Sequence, residues 1–404
     1  MTDALSNAQT IDQPAEGTPP LCDTQETVDE AVDRLGHGDG PIAVDTERAS
    51  GFRYTNRAYL LQFKRPGAGI VLIDPVADVD LSRLRALLGR SEWILHAASQ
   101  DMPCLHMLDL LPKRLFDTEL AARLCGFDKV ALGSLCERLL QVKLKKQHSA
   151  ADWSQRPLPH SWLSYAALDV EFLHPLWDQL REILEFQGKL EWAEQEFESE
   201  RLAPPPSPRA EPWRRTSGIH RVKGRQALGR VRAIWMERDD IAASLDKAPS
   251  KVLSDKAIVE IASVNPTDHG ELVKLPTLER RGRQWTRRWL TALERAGQLD
   301  RQDLPITNPP NDGPPAAHRW SDKDPLAARR LKRTRHAVAQ LAKEHGLPAE
   351  NLLAPATLRR LLWEPPHRLT SEDIAERLRE LGARPWQIEA VCDEITATLL
   401  EVES

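Results

Sequence analysis

Two rhythms organise the apolar residues of this chain. Ile42, Ala43 and Val44 form a short unbroken apolar run behind a Gly40–Pro41 turn, which predicts a buried strand over 41–47. AYLLQFK (58–64) and GIVLID (69–74) predict two more strands, and the short links between the three predict an antiparallel meander. Trp93 to Leu95 predicts a fourth strand. Elsewhere the period is helical. Thr24 to Leu35 reads as a helix with Thr24 as N-cap, Leu81, Leu84, Leu87 and Leu88 share one helical face, and Ser161 to about Leu202 reads as helical throughout. Strands first, then a mixture, then helices make one α/β domain of about 200 residues.

Proline punctuates the second half of the chain. LAPPPSPRAEP (202–212) holds five prolines and cannot be a helix interior or a central strand. DLPITNPPNDGPPAAH (303–318) is equally proline-rich. The chain therefore divides into a polar, disordered tail (1–22), the α/β domain (23–203), a linker (204–212), a helical domain (213–300), a second linker (301–323) and a second helical domain (324–402). The two helical pieces share apolar spacing at an offset of 100: Val252 with Leu352, Leu253 with Leu353, Ile258 with Leu358, Ile261 with Leu361, and Pro266 with Pro366. Two copies of a small all-α domain account for this.

Charge and cysteine narrow the class. A net charge of −5 gives no global nucleic-acid signature, so any such signal is local. The five cysteines (Cys22, Cys104, Cys125, Cys136, Cys392) form no C-x-x-C pair, which argues for a reducing compartment and against structural zinc. The N-terminus has no apolar signal region, and no apolar run reaches the ~20 residues of a membrane span. A cytoplasmic protein is expected.

The candidate chemistry lies at strand ends. Asp45 and Glu47 come after the first apolar run at i and i+2, so both point to one face of the strand. Two carboxylates beside a core repel each other and lose hydration, and a divalent cation compensates both losses. Alone, D-x-E is a weak signal that more readily describes a strand ending in solvent. Asp101, in HAASQD (96–101), stands at a strand-to-helix junction. Tyr165 and Asp169, in YAALD, sit at i and i+4 of a helix that also carries Trp162, Leu163, Ala166 and Phe172. An acid on so apolar a helix needs a partner.

In this ordered set the chain resembles ribonuclease D, of the DEDDy group of 3′→5′ exonucleases. The matching motifs are D-x-E (Asp45, Glu47), a second Asp (Asp101) and Y-x-x-x-D (Tyr165, Asp169). ADWSQRPLPHSWLSYAALDV (151–170) resembles the family's D-W-x-x-R-P-L…Y-A-A-x-D-V block. The segment from 213 resembles the HRDC domain, and the C-terminal piece a diverged second copy. Arg48 departs from the family, where Phe is common. The resemblance implies a ribonuclease H-like fold, with a mixed sheet of about five strands flanked by helices, and beyond it two HRDC-like domains. It implies two divalent ions, Mg²⁺ or Mn²⁺, held by Asp45, Glu47, Asp101 and Asp169. Asp45 would bridge both ions, Asp101 would act through water, and Tyr165 would orient the attacking water. The implied reaction releases nucleoside 5′-monophosphates from a single-stranded 3′ end, with tRNA precursors as the implied RNA.

Three basic runs mark where RNA would lie. Trp213–Arg232 holds seven Arg/Lys and no acid, and Arg214, Arg215, Arg221, Lys223, Arg225 and Arg230 are its candidate phosphate contacts. Arg280–Trp289 carries five arginines around Trp285 and Trp289, which read as core, and Arg329–Arg335 has five basic residues in seven. The alternative is that these are solvated helix faces. His96 reads as a structural histidine bonded to the Asp101 turn, Cys104 and His106 as helix packing, and Lys145, Lys146 and His148 as a loop before the third motif that either touches substrate phosphate or is simply solvated. The competing functions are a 3′→5′ DNA exonuclease, which shares the carboxylates, and a non-catalytic RNA-binding scaffold.

Overall fold

Each of the first three apolar runs has to cover two faces, and a central place in a sheet between helix layers provides that. The computed structural model describes residues 9–145, 151–309 and 313–404. Its strands are β1 (Gln9–Ile11), β2 (Leu21–Cys22), β3 (Ile42–Arg48), β4 (Ala58–Arg65), β5 (Gly69–Ile73), β6 (Glu92–Leu95), β7 (Arg114–Asp117) and β8 (Val142–Leu144). Six form one sheet in the order β2-β5-β4-β3-β6-β7. β3, β4 and β5 make the antiparallel meander, while β6 joins β3, β7 joins β6 and β2 joins β5 in parallel. The sheet is mixed, and β3 lies inside it with Ile42, Ala43 and Val44 fully buried.

Strand register decides what faces what. Asp45 lies opposite Gln62, Thr46 opposite Leu61 and Glu47 opposite Leu60. Leu60 packs with Leu163, Ala166 and Ala167, whereas Leu61 and Phe63 belong to the core that also takes Val28, Val32 and Leu35. Asp45 and Glu47 therefore share one face of the sheet and Thr46 the other.

Among the described residues, eight α-helices flank this sheet region: α1 (Gln25–His37), α2 (Ser82–Leu88), α3 (Met102–His106), α4 (Thr118–Leu124), α5 (Leu132–Leu135), α6 (His160–Glu171), α7 (Leu173–Phe186) and α8 (Leu190–Arg201). Thr24 caps α1, its side chain accepting from the Thr27 amide. The stretch expected to be helical throughout 161–202 is three helices, parted at Phe172 and at 187–189, where Gly188 takes a positive φ of 67°. The disordered tail expected over 1–22 is also corrected for residues 9–22. Gln9–Ile11 pairs with Val142–Leu144, and Leu21 and Cys22 extend the sheet beside Leu72 and Ile73. The pairing partners lie far along the chain, so composition alone reads these residues as polar and unstructured.

The helical segments attach differently. Residues 213–293 hold their own core of Trp213, Val231, Ile234, Ile258, Ile261 and Trp289. They meet the α/β domain at the loop after β3: the Ala248 amide donates to the Phe52 carbonyl at 3.0 Å, the Tyr54 hydroxyl donates to Asp239 at 2.9 Å, and Arg53 pairs with Asp246 at 3.6 Å. Residues 320–399 instead share one apolar core with the six-stranded sheet. Trp192 of α8 stacks on Trp386 with centroids 4.6 Å apart, and Arg384 donates to Glu196 at 2.6 Å. At this junction a Cβ on Gly126 would run into the Gly346 carbonyl oxygen, so only glycine fits. The helices of the two segments keep the offset of 100: Arg225–Ser244 with Pro325–Glu344, Pro249–Val252 with Ala349–Leu352, and Asp255–Val264 with Pro355–Trp363. Among the described residues no helix is long and apolar enough to cross a membrane.

Candidate active site

Strand periodicity and helix periodicity meet at one cleft. β3 sends Asp45 and Glu47 toward α6, and the i, i+4 spacing on α6 turns Tyr165 and Asp169 back to them. One carboxylate oxygen from each of Asp45, Glu47 and Asp169 falls within 4.8 Å of the others. These residues line a cleft of about 470 Å³ together with Thr46, Arg48, His96, Gln100, Asp101 and Tyr165. Asp101 stands outside the tight group of three. It is 4% exposed, accepts from the Thr46 hydroxyl at 2.6 Å, and has an Arg48 guanidinium nitrogen at 3.5 Å.

The electrostatics arise from crowding acids where water is scarce. Burial, then the charges of Asp101, Asp169 and Glu47, push the Asp45 carboxyl well above the usual carboxylate range. Glu47 is pushed well up by burial and by Asp169 and Asp101, with Arg48 pulling the other way. Asp169 rises to about 7, chiefly through burial, although the Tyr165 hydroxyl hydrogen-bonds it and lowers it. Asp101 rises to about 6 by burial, moderated by Thr46 and Arg48. The Tyr165 phenol is itself raised by burial and by the charges of Asp169, Glu47 and Asp45, so it remains a hydrogen-bond donor. A set of oxygen donors with surplus negative charge and no sulfur ligand suits a hard divalent cation.

The supports come from residues of two kinds. The D-W-x-x-R-P-L block acts as a brace: Trp153 is fully buried, with its ring centroid 5.2 Å from that of Trp162 and 6.4 Å from that of Tyr165. Arg156 forks onto both oxygens of Asp74, at 2.6 and 2.7 Å, and reaches the Tyr59 carbonyl at 2.8 Å, fixing the approach to α6 against the sheet. Sequence reasoning missed Asp117. Its carboxylate accepts from the amides of Ala97 (3.0 Å), Ala98 (2.7 Å), Glu119 (2.7 Å) and Leu120 (3.2 Å), so it both caps α4 and holds the turn that leads to Asp101. Ala97 in that turn is left-handed at φ 60°, a conformation Asp117 helps to maintain. Asp117→Ala should lower the unfolding free energy by about 3 kcal/mol, because buried amides lose a charged acceptor. Denaturant melts measure this, and a loss below ~1 kcal/mol would mean that water replaces the carboxylate at little cost.

Other expectations fall into place or shift. The His96 ring bonds the Thr118 hydroxyl at 2.9 Å rather than the Asp101 turn, and burial lowers its pKa, so it is neutral. Cys104 is buried, with its thiol 3.2 Å from the Thr46 hydroxyl. Trp289 is fully buried and Trp285 packs beside it, as core. Lys145 is 4.0 Å from Asp12, while Lys146 and His148 lie outside the described residues. Of the six cations proposed for RNA, three serve the helical segment itself: Arg214 pairs with Glu211, Arg225 donates to the carbonyls of Leu304 and Pro305, and Arg230 donates to the Ala262 carbonyl. Arg215, Arg221 and Lys223 are exposed.

Comparison with known proteins agrees with this geometry. Residues 20–185 match the family model described as 3′-5′ exonuclease, residues 227–288 the HRDC domain, and residues 313–399 a model described as 3′ to 5′ exonuclease C-terminal domain. The last stretch thus matches a different model from the HRDC segment it parallels helix for helix. A structure of a protein from Bifidobacterium adolescentis superposes with a TM-score of 0.89 at 35% identity, covering 97% of this chain and 100% of that one. The structure of Escherichia coli RNase D, described as an exoribonuclease involved in structured RNA processing, superposes with a TM-score of 0.67 at 26% identity, covering 90% and 98%. Ribonuclease D of Gluconacetobacter diazotrophicus is 33% identical over 272 residues, 65% of this chain and 67% of that protein. Mixed sheet, acidic cleft and HRDC segment together define a 3′–5′ exonuclease of the class that uses divalent metal ions. Within that class the chain belongs to the ribonuclease D family, and it is a 3′–5′ exoribonuclease.

Proposed function

We propose that the chain trims single-stranded 3′ ends of structured RNAs, tRNA precursors among them, one nucleoside 5′-monophosphate at a time, using two Mg²⁺ or Mn²⁺ ions. The observation that carries this reading is the convergence of Asp45, Glu47 and Asp169 within 4.8 Å beside a Tyr165 hydroxyl bonded to Asp169. Asp45, Glu47 and Asp169 would hold one ion, with Asp45 shared and Asp101 completing the set for the second. Two such ions, when bound, supply charge compensation on both the attacking and the leaving side of the phosphorus. Tyr165, kept protonated by burial and by its acidic neighbours, would orient the attacking water and take no proton from it. The apolar side of the cleft, with Val130, Leu132 and Leu173, suits the terminal nucleoside.

The body of the RNA would lie along exposed cations: Arg215, Arg221 and Lys223 on the HRDC segment, and Arg329, Lys332, Arg333 and Arg335 on the C-terminal one. The latter segment we read as a second HRDC-like copy, on the strength of its helix correspondence. Five free cysteines fit a cytoplasmic setting. A DNA exonuclease with the same carboxylates is the competing reading. Matched RNA and DNA 3′ tails on one duplex, assayed by single-turnover nucleotide release, separate the two. Faster release from RNA is expected, and faster release from DNA would overturn the assignment.

A further inference from the structure

The C-terminal helical segment keeps open a groove whose counterpart in the HRDC segment is closed. Leu331 and Val338, on the helix Pro325–Glu344, form its floor with Leu353 and Leu358. The groove has a volume of about 280 Å³, and Arg335, Arg359 and Glu350 stand exposed around it. Among the described residues neither guanidinium is tied down by an ion pair. The offset of 100 shows what closes the corresponding place. Arg359 stands where the HRDC segment has Val259, which is buried in one core with Val231, Leu253, Ile258 and the indole of Trp213. Arg238 and Asp255, ion-paired at 2.7 Å, correspond to Val338 and Pro355, which cannot pair. The leading residues differ as well. Trp213 enters the first core, whereas Ala317 lines the groove and Trp320 packs instead on Trp363, with ring centroids 4.9 Å apart.

We propose that this groove binds one internal nucleotide of the single-stranded tail, with its base on the apolar floor and its phosphates on Arg335 and Arg359. This rests on the reading of the chain as an enzyme acting on single-stranded 3′ tails. Three observations choose this occupant. First, a flat ring suits the space. The corresponding core takes an indole, and the Arg214 guanidinium lies over that ring at 4.3 Å, an arrangement that Arg335 or Arg359 offers to a base. The volume is at the lower edge of ligand pockets, ~300 Å³, which admits one ring system and leaves the backbone outside. Second, the rim charge is positive, two arginines against one glutamate, and Arg335 belongs to the basic run Arg329–Arg335. Glu350 adds an acceptor for a base N–H. Third, the groove is near the acidic cleft. Ala349 in its wall is three residues from Gly346, whose backbone abuts Gly126, and Val130 of the cleft is four residues from Gly126. Chain length alone therefore keeps Ala349 within about 30 Å of Val130, which puts both sites within reach of one strand.

The test uses the full-length protein in EDTA, where nothing is cleaved, and a hairpin RNA with a single-stranded 3′ tail from which the base is removed at one position at a time. In wild type, one internal abasic position should weaken binding about tenfold, the scale of one stacked base. Ala317→Trp places an indole in the groove from an exposed position, and the double variant Arg335→Ala, Arg359→Ala removes the rim cations. Both should abolish the internal penalty and leave any penalty at the 3′-terminal base unchanged. The double variant Lys332→Ala, Arg333→Ala removes as much charge from the same helix but not from the groove. It should weaken every RNA alike and keep the internal penalty. Circular dichroism and a melt check each fold, and the two groove variants act by unrelated means, so one suffices if the other fails to fold. An internal penalty below about twofold in wild type, or one that survives in a folded groove variant, would overturn the proposal. So would self-association of wild type in sedimentation that Ala317→Trp abolishes, which would give the groove to a second copy of the chain. If wild type binds the tailed hairpin no better than a blunt one, the reading of the tail fails and the groove with it.

Discussion

Asp45→Ala should slow metal-dependent nucleotide release by about 10³-fold or more, since in the proposed function several kcal/mol of charge stabilisation at phosphorus would depend on cations held by this carboxylate. RNA binding, measured by filter retention, should stay within about threefold of wild type, because the exposed cations proposed to meet phosphate lie on other segments. A second signature separates this from simple damage. Asp45 sits against Asp101, Asp169 and Glu47, so its removal relieves repulsion between buried acids. The metal-free variant should therefore melt higher than metal-free wild type, while losing the stabilisation that Mn²⁺ gives to wild type. Sites built for function store this kind of conflict, and stability rises when it is removed. Unchanged release by the variant would instead leave the scaffold reading standing.

How much of this was legible in the sequence depends on the range of the forces involved. β3 and α6 declare themselves because a run such as Ile42–Val44 and a spacing such as Tyr165–Asp169 encode both an element and its facing side within a few residues. The convergence of Asp45, Glu47 and Asp169 was readable through the motif order, although the 4.8 Å grouping needed the fold. The separateness of Asp101 was not readable. It depends on Thr46 leaving β3 on the side opposite to Asp45, on Arg48 reaching Asp101 from beyond the register shift after Glu47, and on a turn held by Asp117 from another strand. The edge strand Leu21–Cys22 was missed for the same reason, since a two-residue strand has no period and exists only through β5. Basic runs misled in a different way. Arg225 and Arg230 look like phosphate ligands by composition, yet a guanidinium also satisfies main-chain carbonyls, as theirs do at Leu304, Pro305 and Ala262.

The two helical segments carry one pattern into two different attachments. Residues 320–399 are welded to the nuclease by Trp386 and Arg384 against α8, so their position is set by a shared core. Residues 213–293 keep a separate core and touch the nuclease through hydrogen bonds and an ion pair around Phe52–Thr55. Contacts of that kind contribute little individually and are weakened by salt. The loop they grip begins just after Glu47 and Arg48, which ties the placement of the HRDC segment to the mouth of the cleft.

The cleft's acids also fix how cation binding responds to pH. Asp169 titrates near 7 and Asp101 near 6 in the metal-free protein, and Asp45 and Glu47 are raised as well. A carboxyl whose folded pKa exceeds its unfolded one binds more protons when folded. Between the two values stability therefore falls as pH rises, and the metal-free protein should melt higher at pH 5.5 than at pH 7.5. Cation binding runs the other way, because it needs the ionised groups and expels their protons. A group of pKa about 7 is ionised in roughly one molecule in ten at pH 6 and one of pKa about 6 in roughly half, so Asp169 and Asp101 together weaken the apparent Mn²⁺ affinity by about twentyfold between pH 8 and pH 6. Glu200, raised to about 8 by burial and by Asp117, adds its own slope to stability with or without the ion. Glu200→Gln removes that contribution and leaves the cleft's share visible. Calorimetry in buffers of different ionisation enthalpy counts the protons released, and an affinity that stays level from pH 8 to pH 6 would mean that these carboxyls are already ionised before the cation arrives.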